Sequence, residues 1–207
     1  MIKIFFNYLI FPGFLFSACV GLIAGWIDRK VTARIQWRVG PPWYQNFVDI
    51  VKLLGKETIV PAGAKITFLL SPVLGLLSTI LVATILGVTV RLPLESFAGD
   101  LIVVLYLLII PAIAIIIGAS SSHNPLASVG ASREMKLVLG YELPFILSII
   151  VVIIKSAGSI QIGSILNHQI NFGSNLASFS GILAFLVAII CMQAKLGFVP
   201  FDMSEAE

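Results

Sequence analysis

"LIVVLYLLIIPAIAIIIG", residues 101–118, carries no charged side chain and only one hydroxyl, that of Tyr106. At 1.5 Å of rise per residue a helix of this length is about 27 Å long, close to the ~30 Å hydrocarbon thickness of a bilayer. A helix apolar on every side has no face to show to water, so the stretch predicts a membrane span. Working outward, comparable apolar runs occupy 4–27, 66–90, 137–154 and 179–196, and only the run 137–154 contains an acidic residue. Composition agrees: 58% of the 207 residues are hydrophobic and 11% charged, against roughly 25% charged in a soluble domain. The first run exceeds the 7–15 apolar residues usual in a signal peptide and has only Lys3 before it, so it reads as a retained span. The expected fold is all-α, a polytopic transmembrane helix bundle of five spans forming one integral membrane domain over 1–207.

Basic residues orient the bundle. Seven of thirteen (Arg29, Lys30, Arg34, Arg38, Lys52, Lys56, Lys65) lie between the first two runs. Arg133, Lys136 and Lys195 flank the other segments on that side, leaving Lys3, Arg91 and Lys155 for the opposite one. By the positive-inside rule the N-terminus is expected outside and the 28–65 loop in the cytoplasm, as in the plasma (inner) membrane of a prokaryote.

Redox and hydrolytic chemistry have no visible home in the chain. Cys19 and Cys191 sit inside apolar runs without a CxxC pattern and read as packing residues. His123 and His168 fall on opposite sides of the membrane and read as solvated loop residues. No phosphate loop, nucleophile elbow or zinc-protease pattern occurs. Any electron-transfer cofactor is therefore expected on other chains, and nothing points to nucleic acid.

The polar interval "RIQWRVGPPWYQNFVDIVKLLGKE", 34–57, is unusual in so oily a chain. After Pro41 and Pro42, apolar residues recur at Trp43, Phe47, Ile50, Val51 and Leu54 between Gln45, Asn46, Asp49, Lys52 and Lys56. This helical period over 43–55 is too short to cross a bilayer and predicts an interfacial helix with its apolar stripe buried. Headgroups would attract its lysines. Arg34 and Arg38, spaced i, i+4, would present two forked donors suited to carboxylates of a docked partner.

A second signal lies in "GASREMKLVLGYELPF", 130–145. Tyr141 and Glu142, at i+7 and i+8 from Glu134, share its side of a helix, so two carboxyls and a phenol run into the membrane. Pro144 has no N–H, which deprives the Gly140 carbonyl of its helical partner and leaves it to find a side chain or water. An acid beside such a break suits proton loading and release, and it equally suits a structural bond to a neighbouring helix. The tail "AKLGFVPFDMSEAE" adds Asp202, Glu205 and Glu207 on the side assigned to the cytoplasm. They fit either salt bridges to the basic 28–65 loop or a solvated helix start capped by Asp202 or Ser204.

Taken together, "RKVTARIQWRVGPPWYQNFVDIVKLLGKE", "GASREMKLVLGYELPF" and "PFDMSEAE" resemble, in order and topological position, the H-type membrane subunit shared by complex I and the membrane-bound NiFe hydrogenases. The resemblance covers most of the chain. It implies a heel subunit joining the soluble redox arm, with hydrogenase-like and Fe–S subunits, to antiporter-like membrane subunits. It implies docking or quinone-cavity roles for Arg34, Arg38 and Gly40 in the RxxxRxGP motif, for Asp49, Lys52 and Glu57 in the following helix, and for Asp202, Glu205 and Glu207 in the acidic turn. A proton path would run through Glu134, Tyr141 and Glu142. No cofactor is expected on this chain, Fe–S clusters with NiFe or flavin being expected on partners. The family has eight spans and continues through the acidic turn, so the chain is expected to be partial. "SSSHNPLASVGASREM" is nearer the hydrogenase and archaeal-type branch, where quinone need not be the substrate, and quinone stays one option. Two other classes remain: a secondary transporter, against which no internal repeat of the basic loop or YELP segment is found, and a passive anchor, which would not need Glu142.

Overall fold

The computed structural model describes residues 2–61, 63–198 and 200–202. Among them regular structure is entirely helical, and the chain divides into two compact units, Met1–Ile59 and Val60–Glu207.

The first unit holds α1 (Ile2–Leu9), α2 (Phe14–Ile35) and α3 (Gln45–Leu54). The run expected as one unbroken span over 4–27 is interrupted around Pro12, which has no N–H to give. Wide bonds satisfy the backbone across the break: Phe11 N–H donates to Phe6 O (3.1 Å), Gly13 N–H to Asn7 O (2.9 Å) and Phe16 N–H to Ile10 O (3.1 Å). A Cβ on Gly13 would stand 1.9 Å from the Tyr8 carbonyl oxygen, so glycine is what lets the two helices meet. By length and composition 5–35 still reads as one membrane crossing. α2 runs eight residues beyond the expected limit at 27, taking Asp28, Arg29, Lys30 and Arg34 into the helix. It stops where Trp37 turns left-handed (φ 59°) and Arg38 N–H bonds Ala33 O at 2.7 Å.

α3 lies within the expected 43–55, but the face it turns to α2 is the polar one. Asn46 is buried, donating Nδ2–H to Leu22 O (2.8 Å) and accepting from Arg29 Nη1 (3.1 Å). Trp26 Nε1–H reaches Pro41 O at 3.1 Å. Gly25 lies against this bond, where a Cβ would be in ordinary contact with Asn46 Nδ2 at 3.5 Å. Val51 and Leu54 of the apolar stripe are left 70% and 82% exposed. The stripe is therefore free for lipid or protein, because hydrogen bonding and not apolar burial fixes α3 to α2.

The second unit contains α4 (Lys65–Arg91), α5 (Asp100–Ser121), α6 (Pro125–Lys155), α7 (Ile162–Phe172) and α8 (Phe179–Lys195). With α2, the helices α4, α5 and α6 are long and apolar enough to cross a membrane, and α8 is a shorter apolar helix of 17 residues. These five helices correspond to the five apolar runs of a polytopic bundle, four of them long enough to cross a membrane. α5 packs between α4 and α6, and α6 packs on α8.

Burial is inverted relative to a soluble protein. On α4 the buried residues include Ser71, Gly75, Ser78, Val82 and Thr89, while Leu69, Leu74 and Leu76 point outward. Small residues at three- and four-residue spacing let helices approach closely where lipid competes equally for large apolar side chains. A Cβ on Gly75 would stand 3.3 Å from Ala114 Cβ, and one on Gly118 2.6 Å from Ser71 Oγ. The seam's hydroxyls are satisfied locally, Ser78 Oγ–H donating to Gly75 O at 2.8 Å. Gly75→Leu is therefore expected to lower stability by about 1–3 kcal/mol through overpacking. A reduced thermal-unfolding midpoint in detergent would report it, with Val73→Leu on the outward face as the silent control.

Two boundaries depart from expectation. α6 begins at Pro125, twelve residues before the apolar run 137–154, because Asn124 caps it by accepting Leu126 N–H (3.0 Å) and Pro125 occupies a first-turn position that needs no donor. α7 arises between the apolar runs 137–154 and 179–196, and takes in His168, a residue expected in a loop. It is tied by the fully buried Asp100, whose Oδ1 accepts Leu101 N–H (2.7 Å) and Ile162 N–H (2.8 Å), and by Gln161 Nε2–H donating to Ser96 O (2.8 Å).

Candidate functional site

The buried centre of the second unit is Tyr141, Phe145, Cys191 and Ala194, with Leu105 and Leu108 of α5 packed against it. α6 supplies Tyr141 and Phe145, and one step from Tyr141 the same helix presents Glu142 toward α8. Because α8 has only 17 residues, its last residue, Lys195, comes level with Glu142 and does not reach beyond the end of α6. Lys195 Nζ donates to Glu142 Oε1, and the two side chains are only 13% and 14% exposed. The same ammonium lies over two rings, 4.8 Å from the Phe145 centroid and 5.4 Å from that of Tyr141. An isolated charge at such a place would be costly, whereas pairing and ring faces offset the lost hydration.

Beside the pair opens a cavity of about 530 Å³ lined by Lys136, Gly140, Tyr141, Pro144, Cys191 and Phe201 among others. Gly140 and Pro144, the two ends of the hydrogen bond that proline cannot make, both face it, and nothing stands within 4 Å of where a Gly140 Cβ would be. The break in the helical ladder thus coincides with open, largely apolar space bordered by Tyr141 and Lys136, and Glu142 and Lys195 stand behind this lining. Glu134 is on the same helix but lines a different, smaller cavity of about 200 Å³ against α5, with Ile115 and Ala119. Tyr141 lies between, within electrostatic reach of both carboxyls. Eight residues separate Glu134 from Glu142, about 12 Å along the axis.

In the first unit, Arg34, Arg38, Lys52 and Glu57 are exposed. The helix ends between the two arginines, so they are not the successive-turn neighbours that their spacing suggests. Asp49 is engaged within the unit, accepting Gln45 Nε2–H (2.9 Å) and lying 3.7 Å from Arg29. Gly40 is left-handed (φ 73°), and a Cβ there would press on Ala33 and Lys30 at 3.1 Å. Asp202 of the second unit is half-buried; Glu205 and Glu207 lie outside the described residues. Among the described residues no three of His, Cys, Asp and Glu converge as metal ligands.

Periodicity and charge counting do not single out Lys195, Arg29 or Asn46. By its position in the chain Lys195 is only a charge flanking a span; the available signal is the shortness of that span. Arg29 and Asn46 are 17 positions apart, a separation that helical periodicity does not connect.

Comparison with known proteins bears on the whole chain. The family model described as NADH dehydrogenase matches residues 8–207. The H subunit of NADH-quinone oxidoreductase from Thermomicrobium roseum is 35% identical over 99% of this chain and 67% of its own length. Hydrogenase-4 component C of Escherichia coli is 32% identical over 87% of this chain and 56% of its own. Among solved structures, a chain of the membrane-bound sulfane sulfur reductase, an archaeal respiratory membrane complex, superposes with a TM-score of 0.86 at 32% identity, covering 99% of this chain and 66% of that one. This chain accordingly spans 56–67% of the length of these relatives. A family match from residue 8 to 207, with 35% identity across two thirds of a relative, means that the chain belongs to the NADH dehydrogenase family of respiratory membrane subunits.

Proposed function

We propose that the chain is the heel subunit of a redox-driven, ion-translocating membrane complex of the complex I or energy-converting hydrogenase kind. It docks the soluble redox arm and contributes a glutamate-lined proton path. The observation that carries this reading is Glu142, an acid held inside a span by Lys195 and set beside the cavity at the Gly140–Pro144 break. A passive anchor would use such an acid only as a tie between α6 and α8. The relatives belong to respiratory and hydrogenase assemblies, which supports a role within a complex over a stand-alone transporter.

In this reading the 28–65 segment and the acidic turn containing Asp202, Glu205 and Glu207 lie in the cytoplasm. Arg34 and Arg38, exposed beside the 98%-exposed Trp37, meet carboxylates of the redox arm. The outward stripe of α3 rests on lipid or lines a cavity that takes quinone if quinone is the acceptor. Fe–S clusters with NiFe or flavin belong to the soluble partners, and antiporter-like subunits adjoin the bundle in the membrane.

Affinity purification of the tagged protein from native membranes is expected to bring down soluble Fe–S proteins, visible as iron–sulfur signals in low-temperature EPR of the reduced sample. A pure, EPR-silent membrane protein that still moves a solute in liposomes would establish the transporter instead.

A further inference from the structure

Resting on the proton-path reading of Glu142, we infer that Lys195 is the counter-charge that governs this carboxylate, with the ring faces of Phe145 and Tyr141 as the second seat of its ammonium when Glu142 takes up a proton. The observations are geometric. Lys195 Nζ contacts Glu142 Oε1 and simultaneously lies 4.8 Å and 5.4 Å from the two ring centroids, so the ammonium has two sets of partners without leaving its place. Both charged side chains are almost wholly shielded, at 13% and 14% exposure.

Among the described residues no other cation is bonded to Glu142. α5 contributes Leu105 and Leu108 to this centre. On α8 the neighbouring ionisable group is Cys191, and on α6 the neighbours are Tyr141 and, through it, Glu134. Lys136 lines the adjoining cavity and is not bonded to Glu142.

The balance of the step is simple. In the paired state the carboxylate and ammonium sum to zero. A proton delivered through water from the Glu134 end forms the Glu142 O–H bond, and no electron moves. Lys195 keeps all three of its protons, so the pair then carries one positive charge, which the ring faces stabilise. Loss of the proton restores the pair. The arrangement of one acid, one base and two rings permits both states.

The test uses the assembled complex in native lipid. In infrared difference spectra, Lys195→Met is expected to gain a protonated-carboxyl carbonyl band at neutral pH that is absent from the parent and disappears in Lys195→Met/Glu142→Gln. Translocation should be lost in Lys195→Met, retained in large part in Lys195→Arg, and lowered several-fold in Phe145→Leu. Absence of the new band in Lys195→Met would overturn the counter-charge assignment whether or not Glu142 lies on the proton path. Arg as inactive as Met would overturn it differently, by showing that lysine itself must release a proton. Should Lys195→Met not assemble, Lys195→Met/Glu142→Gln, which removes both charges, is expected to assemble; failure of that double variant as well would reduce the pair to a packing contact. The parent reading fails separately, if Glu142→Gln leaves translocation intact.

Discussion

Glu142→Gln is expected to abolish ion translocation by the assembled complex, and turnover with it where coupling is tight. Glutamine keeps the shape of the side chain and can still accept from Lys195, but it cannot titrate. Because the partner is a shielded ammonium, the single substitution also unbalances the site: removing one member of a buried pair costs about 3–5 kcal/mol, whereas replacing both is close to neutral. Assembly of Glu142→Gln should therefore fall, and Glu142→Gln/Lys195→Met should recover assembly without recovering translocation. Glu142→Asp, still titratable but shorter, should keep part of both. The measurement is subunit content on native gels alongside proton and sodium uptake by inverted vesicles. Normal uptake with glutamine at 142 would put the proton route elsewhere.

Arg34→Ala and Arg38→Ala should each weaken docking of the soluble arm by tenfold or more, while leaving the isolated protein's stability within about 0.5 kcal/mol. Both arginines are exposed, and their bonds within the first unit run through the backbone, so alanine there is a surface change in the free chain. In a complex, truncating one member of a desolvated charge pair costs about 2–5 kcal/mol, and each 1.4 kcal/mol is roughly tenfold in affinity. Lys52→Ala should do less, a hydrated ammonium being a poorer match for a carboxylate than a guanidinium fork. The opposite pattern is expected at Asn46. Its two hydrogen bonds fasten α3 to α2, so Asn46→Ala should destabilise the isolated protein by about 1–3 kcal/mol. The Arg29–Asp49 contact beside it, at 3.7 Å and with both side chains substantially exposed, contributes about 0–1 kcal/mol, and Asp49→Ala should be nearly silent. Titration of the soluble arm onto the purified membrane protein separates docking from stability. Equal losses at Arg34, Arg38 and Lys52 would mean a diffuse basic patch.

Hydrophobic runs are long-range enough in one dimension to be read without a structure, which is why 66–90 and 101–118 match α4 (Lys65–Arg91) and α5 (Asp100–Ser121) closely. The same counting misplaces two helix starts and a helix end, because backbone hydrogen bonding does not stop where apolar side chains do. Asn124 and Pro125 start α6 in a polar stretch, α2 carries four charged residues past its apolar run, and Pro12 with Gly13 breaks an apolar run that looks continuous. α7 escapes it because its anchor, Asp100, precedes it by 62 residues.

Sequence by itself determined that this chain lives in a membrane, that its spans are helical, and that Glu142 is an acid where acids are costly, since these follow from transfer free energy and local periodicity. Only tertiary structure decided what that acid faces. Lys195 lies 53 residues away, and whether a lysine at a span's end snorkels to the surface or turns to a buried carboxylate depends on how far its helix reaches along its neighbour. Seventeen residues of α8 against thirty-one of α6 place Lys195 level with Glu142, a relation between two helix lengths and a packing register that neither segment contains alone.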